Sequence, residues 1–410
     1  MLKDSTFENI DGVERETLSR RRSGRRFSAA SSDGGGVNLR GRNITSGHGQ
    51  FQSEIPLREE RPCGRLAPSP TGPLHLGNAW AFLLAWLAAR AEGGRVVLRM
   101  EDIDPARSRP EWAGAICRDL RWLGLDWDEG PDAGCGMADA GPHAPYRQSR
   151  AGRLYERAFA VLDAAGRVYP CYCTRKELRA LAGAPHGAAD GLGDAGAFYP
   201  GTCRRLSPAE RRERERAGRH SAWRLACPEG ATESFDDAVL GPQHFTLAEC
   251  GGDFALRRSD GVWAYQLAVV VDDARMGVTQ VVRGEDILLS TPRQLLLFRL
   301  LGERPPRYAH IPLLHDAAGE RLAKRHHSLS LGALREAGVR PEAVTAWLAR
   351  AAGLGEGVPA DLAVRLRREG KFPWERLPRT GLRLSDNVAE ALRLSLIHIW
   401  QKRTSANETP

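Results

Sequence analysis

Residues 65–78 read R-L-A-P-S-P-T-G-P-L-H-L-G-N. Arg65-Leu66-Ala67 reads as the end of a short buried strand. Pro68, Pro70, Gly72 and Pro73 then forbid helix and force a turn. After His75-Leu76-Gly77-Asn78, residues 79–90 form a long apolar, helix-favouring run. The order is strand, tight loop, helix. Free N–H groups and the positive dipole end at such a helix start suit a phosphate. Gly77 lets the backbone pass close to a bulky ligand, and His75 can donate a hydrogen bond to a phosphate oxygen. No P-loop or dinucleotide glycine pattern is present. On chemistry alone, an ordinary βα turn with an incidental histidine fits equally well.

The alternation continues downstream. Residues 95–100 (R-V-V-L-R-M) read as a buried strand ending in Glu101-Asp102-Ile103-Asp104-Pro105. Acids at the C-terminal end of a parallel strand lie where open α/β sheets bind ligands. Residues 111–123 and 152–165 have helical apolar spacing, and 130–141 reads as a loop. Residues 168–250 change character, with glycines clustered between 183 and 201 and a charged run at 211–216, as in an insertion. Residues 263–273 (W-A-Y-Q-L-A-V-V-V-D-D) are expected to form a buried strand leading into acids. A strand over 278–283 follows, then a helix over 290–301 capped by Ser290 or Thr291. A short strand over 311–315 precedes the loop 316–327. Such interrupted βα units fit one doubly wound parallel-sheet α/β domain carrying an insertion.

A chain of 410 residues has room for two or three domains. No apolar run reaches about 18 residues, so no spanning helix is expected. The N-terminus lacks an apolar signal region. A cytoplasmic protein without membrane contact is the expectation. The formal charge is +8, of which residues 1–64 carry +2 and 394–410 carry +1. The mildly basic body suits a polyanionic partner. Basic residues are nearly all arginine, beside abundant Ala and Gly, which reads as GC-rich coding and weakens arginine as a sign of RNA binding. Residues 1–62 are expected to be a disordered basic extension, poor in aromatics and rich in Ser, Gly and Arg. Residues 394–410 match nothing before them in character and read as a tail that carries no weight in the functional reading, foreign sequence being one account of it.

Eight cysteines in a chain with no export signal point to metal before disulfide. Cys171-Tyr172-Cys173 precedes Tyr199-Pro200-Gly201-Thr202-Cys203. Thiolates two apart can share one ion, and a later cysteine can close the site. A tetrahedral ion needs one ligand more, from Tyr199, His186 or Cys227. Unrelated buried cysteines are the alternative.

The segment A-P-S-P-T-G-P-L-H-L-G-N closely resembles the HIGH-motif segment of class I glutamyl-tRNA synthetases. Residues 319–327 (G-E-R-L-A-K-R-H-H) stand in the place of that family's KMSKS loop. The family pattern of lysine, hydrophobic, serine, lysine becomes Arg321, Leu322, Ala323, Lys324 here. Ala323 lacks the serine hydroxyl, and Lys324 keeps the mobile cation. The resemblance implies that Pro70, His75, Gly77, Asn78, Arg321, Leu322, Ala323, Lys324 and Arg325 meet ATP. His75 and Lys324 would stabilise charge developing at the α-phosphate. It also implies a glutamate site of Arg65, Ala67, Ser69, Glu101, Tyr265 and Arg283. Arginines suit two carboxylates through planar, bidentate donors, and Glu101 suits an ammonium. The alternative is that Arg65 or Arg283 merely pairs with Glu101, Glu285 or Asp286. The pattern C-x-C-x25-Y-x3-C resembles the zinc site of glutamyl-Q tRNA(Asp) synthetases, where a tyrosine is a ligand. It implies a structural Zn²⁺ on Cys171, Cys173, Tyr199 and Cys203.

The resemblance spans about residues 63–355. It implies a class I synthetase catalytic domain in halves 63–167 and 251–330, separated by the zinc-bearing insertion 168–250. Residues 331–393 form a short helical part. A full glutamyl-tRNA synthetase continues into a helical anticodon-binding domain, for which little chain is left after residue 355. The implied activity uses ATP with Mg²⁺ to activate L-glutamate, then transfers it to queuosine in the anticodon of tRNA(Asp), by a monomer. Two alternatives are a truncated glutamyl-tRNA synthetase charging the tRNA 3′ end and a non-catalytic RNA-binding paralogue.

Overall fold

The computed structural model describes residues 61–131, 139–174, 176–178, 199–322, 329–385 and 387–394. The extension expected over 1–62 and the tail expected over 394–410 fall outside these residues, apart from their inner edges. The first strand, β1 (Cys63–Leu66), is buried throughout. Helix α1 (Leu76–Ala91) follows the proline-rich turn and buries Trp80, Leu83, Leu84 and Leu87. Its tight seat on β1 needs glycine, because a Cβ on Gly64 would stand 2.8 Å from Ala89 Cβ. Next come β2 (Arg95–Leu98), α2 (Pro110–Trp122) and α3 (Gly152–Ala164). Residues expected as a loop at 130–141 include a short antiparallel pair, β3 (Gly130–Pro131) with β4 (Asp139–Ala140).

The insertion contributes β5 (Val168–Cys171), β6 (Ala222–Leu225) and β9 (Phe254–Arg257) to an antiparallel sheet of its own. An exposed helix, α4 (Pro208–Arg216), buries no side chain. The expected limit at residue 250 needs correction in two respects. Strand β9 lies beyond it, and the hairpin β7 (Thr232–Asp237) and β8 (Gly241–Thr246) leaves the insertion for the main sheet. That sheet is completed by β10 (Gln280–Gly284) and β11 (Arg307–Ile311), in the order β2-β1-β10-β11-β7-β8. All neighbours are parallel up to β7, and only β8 runs against it.

The segment 263–273, expected as a strand, is instead helical from Tyr265 on, in α5 (Tyr265–Arg275). Its apolar residues Leu267 to Val270 are all buried, so the run carries no amphipathic period. Periodicity alone cannot separate a short buried strand from a buried helix. Helix α6 (Thr291–Leu301) lies where expected, but Ser290 makes no side-chain cap, and its hydroxyl accepts from Gln266 Nε2 at 3.0 Å. The strand expected over 311–315 splits into β11 and β12 (Leu314–His315). Helices α7 (Leu331–Glu336), α8 (Pro341–Ala351) and α9 (Pro359–Glu369) follow. The last part also holds a strand, β13 (Leu382–Arg383), which pairs parallel with β12.

Strand side chains alternate between two cores. Leu66, Val96, Leu98, Val282 and Ile311 meet α1, α2 and the C-terminal helices. Val97, Val281 and Tyr308 face the other way, where α3, α5, α6 and the insertion sheet pack together. No described helix is long and apolar enough to cross a membrane. The Gly64–Ala89 contact gives a direct test of α1 docking. Gly64→Val should lower unfolding stability by about 1–3 kcal/mol through overpacking, read as a lower urea midpoint with an unchanged slope.

Candidate active site and metal centre

His75 is the N-cap of α1. Its Nδ1 accepts the N–H of Gly77 at 3.1 Å, and its own N–H donates to Asn78 Oδ1 at 3.1 Å. With Nδ1 accepting, a neutral ring carries its proton on Nε2. A Cβ on Gly77 would stand only 3.0 Å from the imidazole, so glycine lets the ring fold back over the helix start. The turn thus combines an imidazole donor with the free N–H groups of a helix start.

Ala323, Lys324 and Arg325 lie outside the described residues. The two ends of their loop are described, and both meet the His75 turn. Upstream, Leu322 is buried, donates its N–H to Leu314 O at 3.1 Å, and sits 3.7 Å from the place of a Gly77 Cβ. Downstream, Ser330 bridges His75, and Leu331 N–H donates to Leu74 O at 2.8 Å. Arg321 is bound to Asp286 at 2.6 Å.

The floor between these walls is a buried network of charges. Arg99 is sealed from solvent and grips Asp273 at 2.5 Å with one nitrogen and Glu101 at 3.1 Å with another. Arg65 donates to Val282 O at 3.2 Å and lies 3.6 Å from Asp273. Arg283 donates to His310 Nε2, Gln294 Oε1 and Thr291 Oγ1 at 3.0, 2.8 and 2.7 Å. Arg65 thus has Asp273 as its near carboxylate, Arg283 bonds neutral groups, and Glu101 is held by Arg99. Burial pushes the Glu101 carboxyl up, against the pull of Arg99 and Arg65. Burial likewise raises the Tyr265 phenol, at the first turn of α5. Three guanidiniums face two carboxylates here, leaving cationic excess for an anionic substrate.

These residues share one cleft of about 1110 Å³, lined by Arg65, Glu101, Tyr265, Arg283, His75 and Leu322. Ala67, Ser69, Gly77, Asn78 and Arg321 line it too. Pro70 is absent from the lining, and its carbonyl accepts from Arg109 N–H at 2.9 Å. Sequence reasoning missed Arg99 and His310 as parts of the floor. Nothing in their flanking residues distinguishes them from strand residues pointing into a core.

The cysteine set also comes together. Sγ of Cys171, Cys173 and Cys203 all lie within 4.8 Å of one another. Tyr199 Oη is 3.4 Å from Cys171 Sγ and 3.8 Å from Cys173 Sγ, while Cys203 N–H donates to it at 2.8 Å. Hydrogen bonds from Cys173 and Cys203 hold the Cys171 thiol far below its ordinary range. Cys227 points elsewhere, to Gly252 O at 3.4 Å, and burial pushes it up to about 12. His186 lies outside the described residues. Three converging soft donors fit a thiophilic metal ion.

Residues 63–358 match the family model described as tRNA synthetases class I (E and Q), catalytic domain. The chain is 64% identical over 291 residues to a glutamyl-Q tRNA(Asp) synthetase of Nitratidesulfovibrio vulgaris, covering 71% of this chain and 86% of that protein. The chain belongs to the glutamyl-Q tRNA(Asp) synthetase family. The protein of that name from Symbiobacterium thermophilum is 52% identical, over 80% of this chain and 98% of its own length. Glutamate–tRNA ligase 2 of Alkalilimnicola ehrlichii is 47% identical, over 70% of this chain and 57% of its own length. A glutamate tRNA ligase from Elizabethkingia meningosepticum, solved in complex with its amino acid, superposes with TM-score 0.67 at 25% identity. It is matched over 86% of this chain and 74% of its own. Membership in this family makes the protein a ligase of the glutamate–tRNA type.

His310 gives the site a pH dependence. Burial lowers its pKa from 6.5 to about 4, although Asp237 accepts its Nδ1–H at 2.6 Å. A neutral ring is also what lets Nε2 accept from Arg283. The unfolded chain takes up this proton below about pH 6.5, so the stability is present above that pH and lost as pH falls towards 4. Urea midpoints from pH 7 to 4 should fall less steeply in His310→Asn, the difference corresponding to about one proton.

Proposed function

We propose that this cleft activates L-glutamate with ATP and transfers it to the queuosine base in the anticodon of tRNA(Asp). The carrying observation is that the His75 turn and both anchors of the Lys324 loop meet beside the floor of Arg65, Glu101 and Arg283. ATP takes the His75 corner, accompanied by Mg²⁺, with its phosphates at the start of α1. Glutamate lies on the floor, its carboxylates toward Arg65 and Arg283 and its ammonium toward Glu101. Tyr265 lies beside it from the opposite wall, and Ala67 and Ser69 border it.

In the first step a glutamate α-carboxylate oxygen attacks the α-phosphorus. The bond to the bridging oxygen breaks, and pyrophosphate leaves with the electron pair. His75 and Lys324 stabilise the charge that builds there, a positional and electrostatic contribution. In the second step a hydroxyl oxygen of the cyclopentenediol attacks the adenylate carbonyl. The bond to AMP breaks, and AMP departs as the hydroxyl loses its proton to the leaving phosphate. The identities favour this acceptor over the tRNA 3′ end, since relatives named for queuosine tRNA(Asp) reach 64% and 52% against 47% for the glutamate–tRNA ligase.

Cys171, Cys173, Tyr199 and Cys203 would hold Zn²⁺. The ion would supply a fixed cationic crosslink to the insertion and takes no part in the transfer. Cys171→Ser and Cys203→Ser should each reduce bound zinc from about one equivalent per chain to a small fraction, measured by metal analysis. Equal content in wild type and variants would remove these ligands.

The activity test uses radiolabelled glutamate, ATP, and tRNA(Asp) with and without queuosine. Label should depend on queuosine and map to the anticodon fragment after nuclease digestion. Better acceptance by tRNA(Glu), or label at the 3′ end, overturns this acceptor. Glutamate-dependent ATP–pyrophosphate exchange should proceed without tRNA, and its absence would favour a non-catalytic paralogue. His75→Ala should slow exchange by about a hundredfold, the usual cost of losing one preorganised donor.

A further inference from the structure

The cleft also has lining residues beyond those assigned above to ATP and glutamate. Strand β9 runs into a hairpin whose tip is closed by Arg258 N–H donating to Val262 O at 2.8 Å. The hairpin is pinned to the loop after β2 by Arg258, which donates to Asp104 at 2.8 Å and to Asp260 at 2.5 Å. Trp263 is braced behind, with the Arg257 guanidinium 4.9 Å over its ring and Phe159 at 5.8 Å. Ile103, Asp104, Ser108, Arg258, Val262 and Trp263 all line the cleft. Ser108 Oγ is shielded from solvent and has no hydrogen-bond partner among the described residues.

We propose that this corner is the acceptor subsite, shaped for a flat base that carries a vicinal diol. The inference rests on the acceptor assigned under Proposed function. Ile103, Val262 and Trp263 contribute apolar side chains to this corner, and an indole offers a face on which a base can stack. The Ser108 hydroxyl can both donate and accept, and it lacks a partner among the described residues. Each Asp104 oxygen already accepts one bond, from Ala106 N–H and from Arg258 respectively. Each keeps a lone pair for a hydroxyl donor. The ion pair to Arg258 holds that carboxylate in place, so two adjacent hydroxyls meet a fixed acceptor rather than a mobile one. None of these residues belongs to the set assigned above to ATP, so a diol bound here would leave the His75 corner free for the nucleotide.

The test separates the two half-reactions. Ser108→Ala and Trp263→Ala should each raise KM for queuosine-containing tRNA(Asp) by about tenfold, the worth of one hydrogen bond or one stacked base. Trp263→Phe should recover most of the loss. KM values for ATP and glutamate in pyrophosphate exchange should stay within about twofold, which also shows that the variants fold. Exchange KM values that rise in step with the tRNA KM would place these residues with the first two substrates and overturn the subsite. An unmoved tRNA KM in both alanine variants would also overturn it. Nuclease mapping of the wild-type product reports on the function separately. Label in the anticodon with an unmoved KM sinks the subsite alone, whereas label at the 3′ end sinks the acceptor and the diol assignment with it.

Discussion

The ion pair between Arg99 and Asp273 sets the geometry of the cleft floor. Both side chains are sealed from water, and the pair joins β2 to α5 across the sheet. Its remaining contacts radiate into the site. The second arm of Arg99 orients Glu101, and Asp273 also draws Arg65 to 3.6 Å. Loss of either partner would strand a buried charge, typically at a cost of about 3–5 kcal/mol. Burial alone would lower the Arg99 pKa, but Asp273 and Glu101 raise it well above its usual range, so the cation is permanent. Its charge is taken up by Asp273 and Glu101, which fixes the carboxylate of Glu101 at the edge of the cleft.

The C-terminal strand has a related role on the other wall. Leu382 and Leu384 donate their N–H groups to Leu313 O and His315 O, at 2.9 and 2.8 Å. On its opposite edge the same strand, β12, accepts from Leu322. The segment leading to Lys324 is thus bridged to the two-stranded β12–β13 sheet, with Arg321 opposite His315. Arg383 presses on the turn at Gly319, where a Cβ would stand 3.1 Å from the guanidinium and φ is +83°. Glycine at that turn satisfies both the left-handed backbone and the close approach. The described ends that flank residues 323–328 are held by hydrogen bonds to β12 on one side and by the Ser330 cap on the other.

The His75 turn was legible because prolines and glycines dictate local backbone directly, and the helix behind it is long. The cysteine set was legible because ligand spacing is a local property. The 263–273 segment was misread for a physical reason. A helix buried on every side shows neither amphipathic period, and Val269 to Val271 add strand-favouring branching. Its two acids seemed to end a strand. In the helix, Asp272 instead accepts from Tyr155 at 2.8 Å and Gln148 at 3.0 Å, and Asp273 anchors the floor. The His310–Asp237 pair was invisible for a different reason: it joins residues 73 apart, across two neighbouring strands. Long-range pairings of this kind carry no local signature.

The chain connects the cysteine cluster to the cleft in few steps. Cys171 ends β5, which pairs with β6, and β6 pairs with β9. Strand β9 leads into the hairpin that places Arg258 on Asp104 and then, after Trp263, begins α5 at Tyr265. Tyr169, two residues before Cys171, donates its hydroxyl to Asp253 at 2.8 Å, and Asp253 in turn accepts from Cys227 N–H at 2.7 Å. The insertion sheet has only three short strands, a size that rarely holds its own shape without support. Four ligands drawn onto one ion would fix the start of that sheet, and the sheet fixes the direction from which Tyr265 and Trp263 enter the cleft. The stability of a small three-stranded unit thus becomes a positional constraint on the part of the cleft lined by Tyr265 and Trp263.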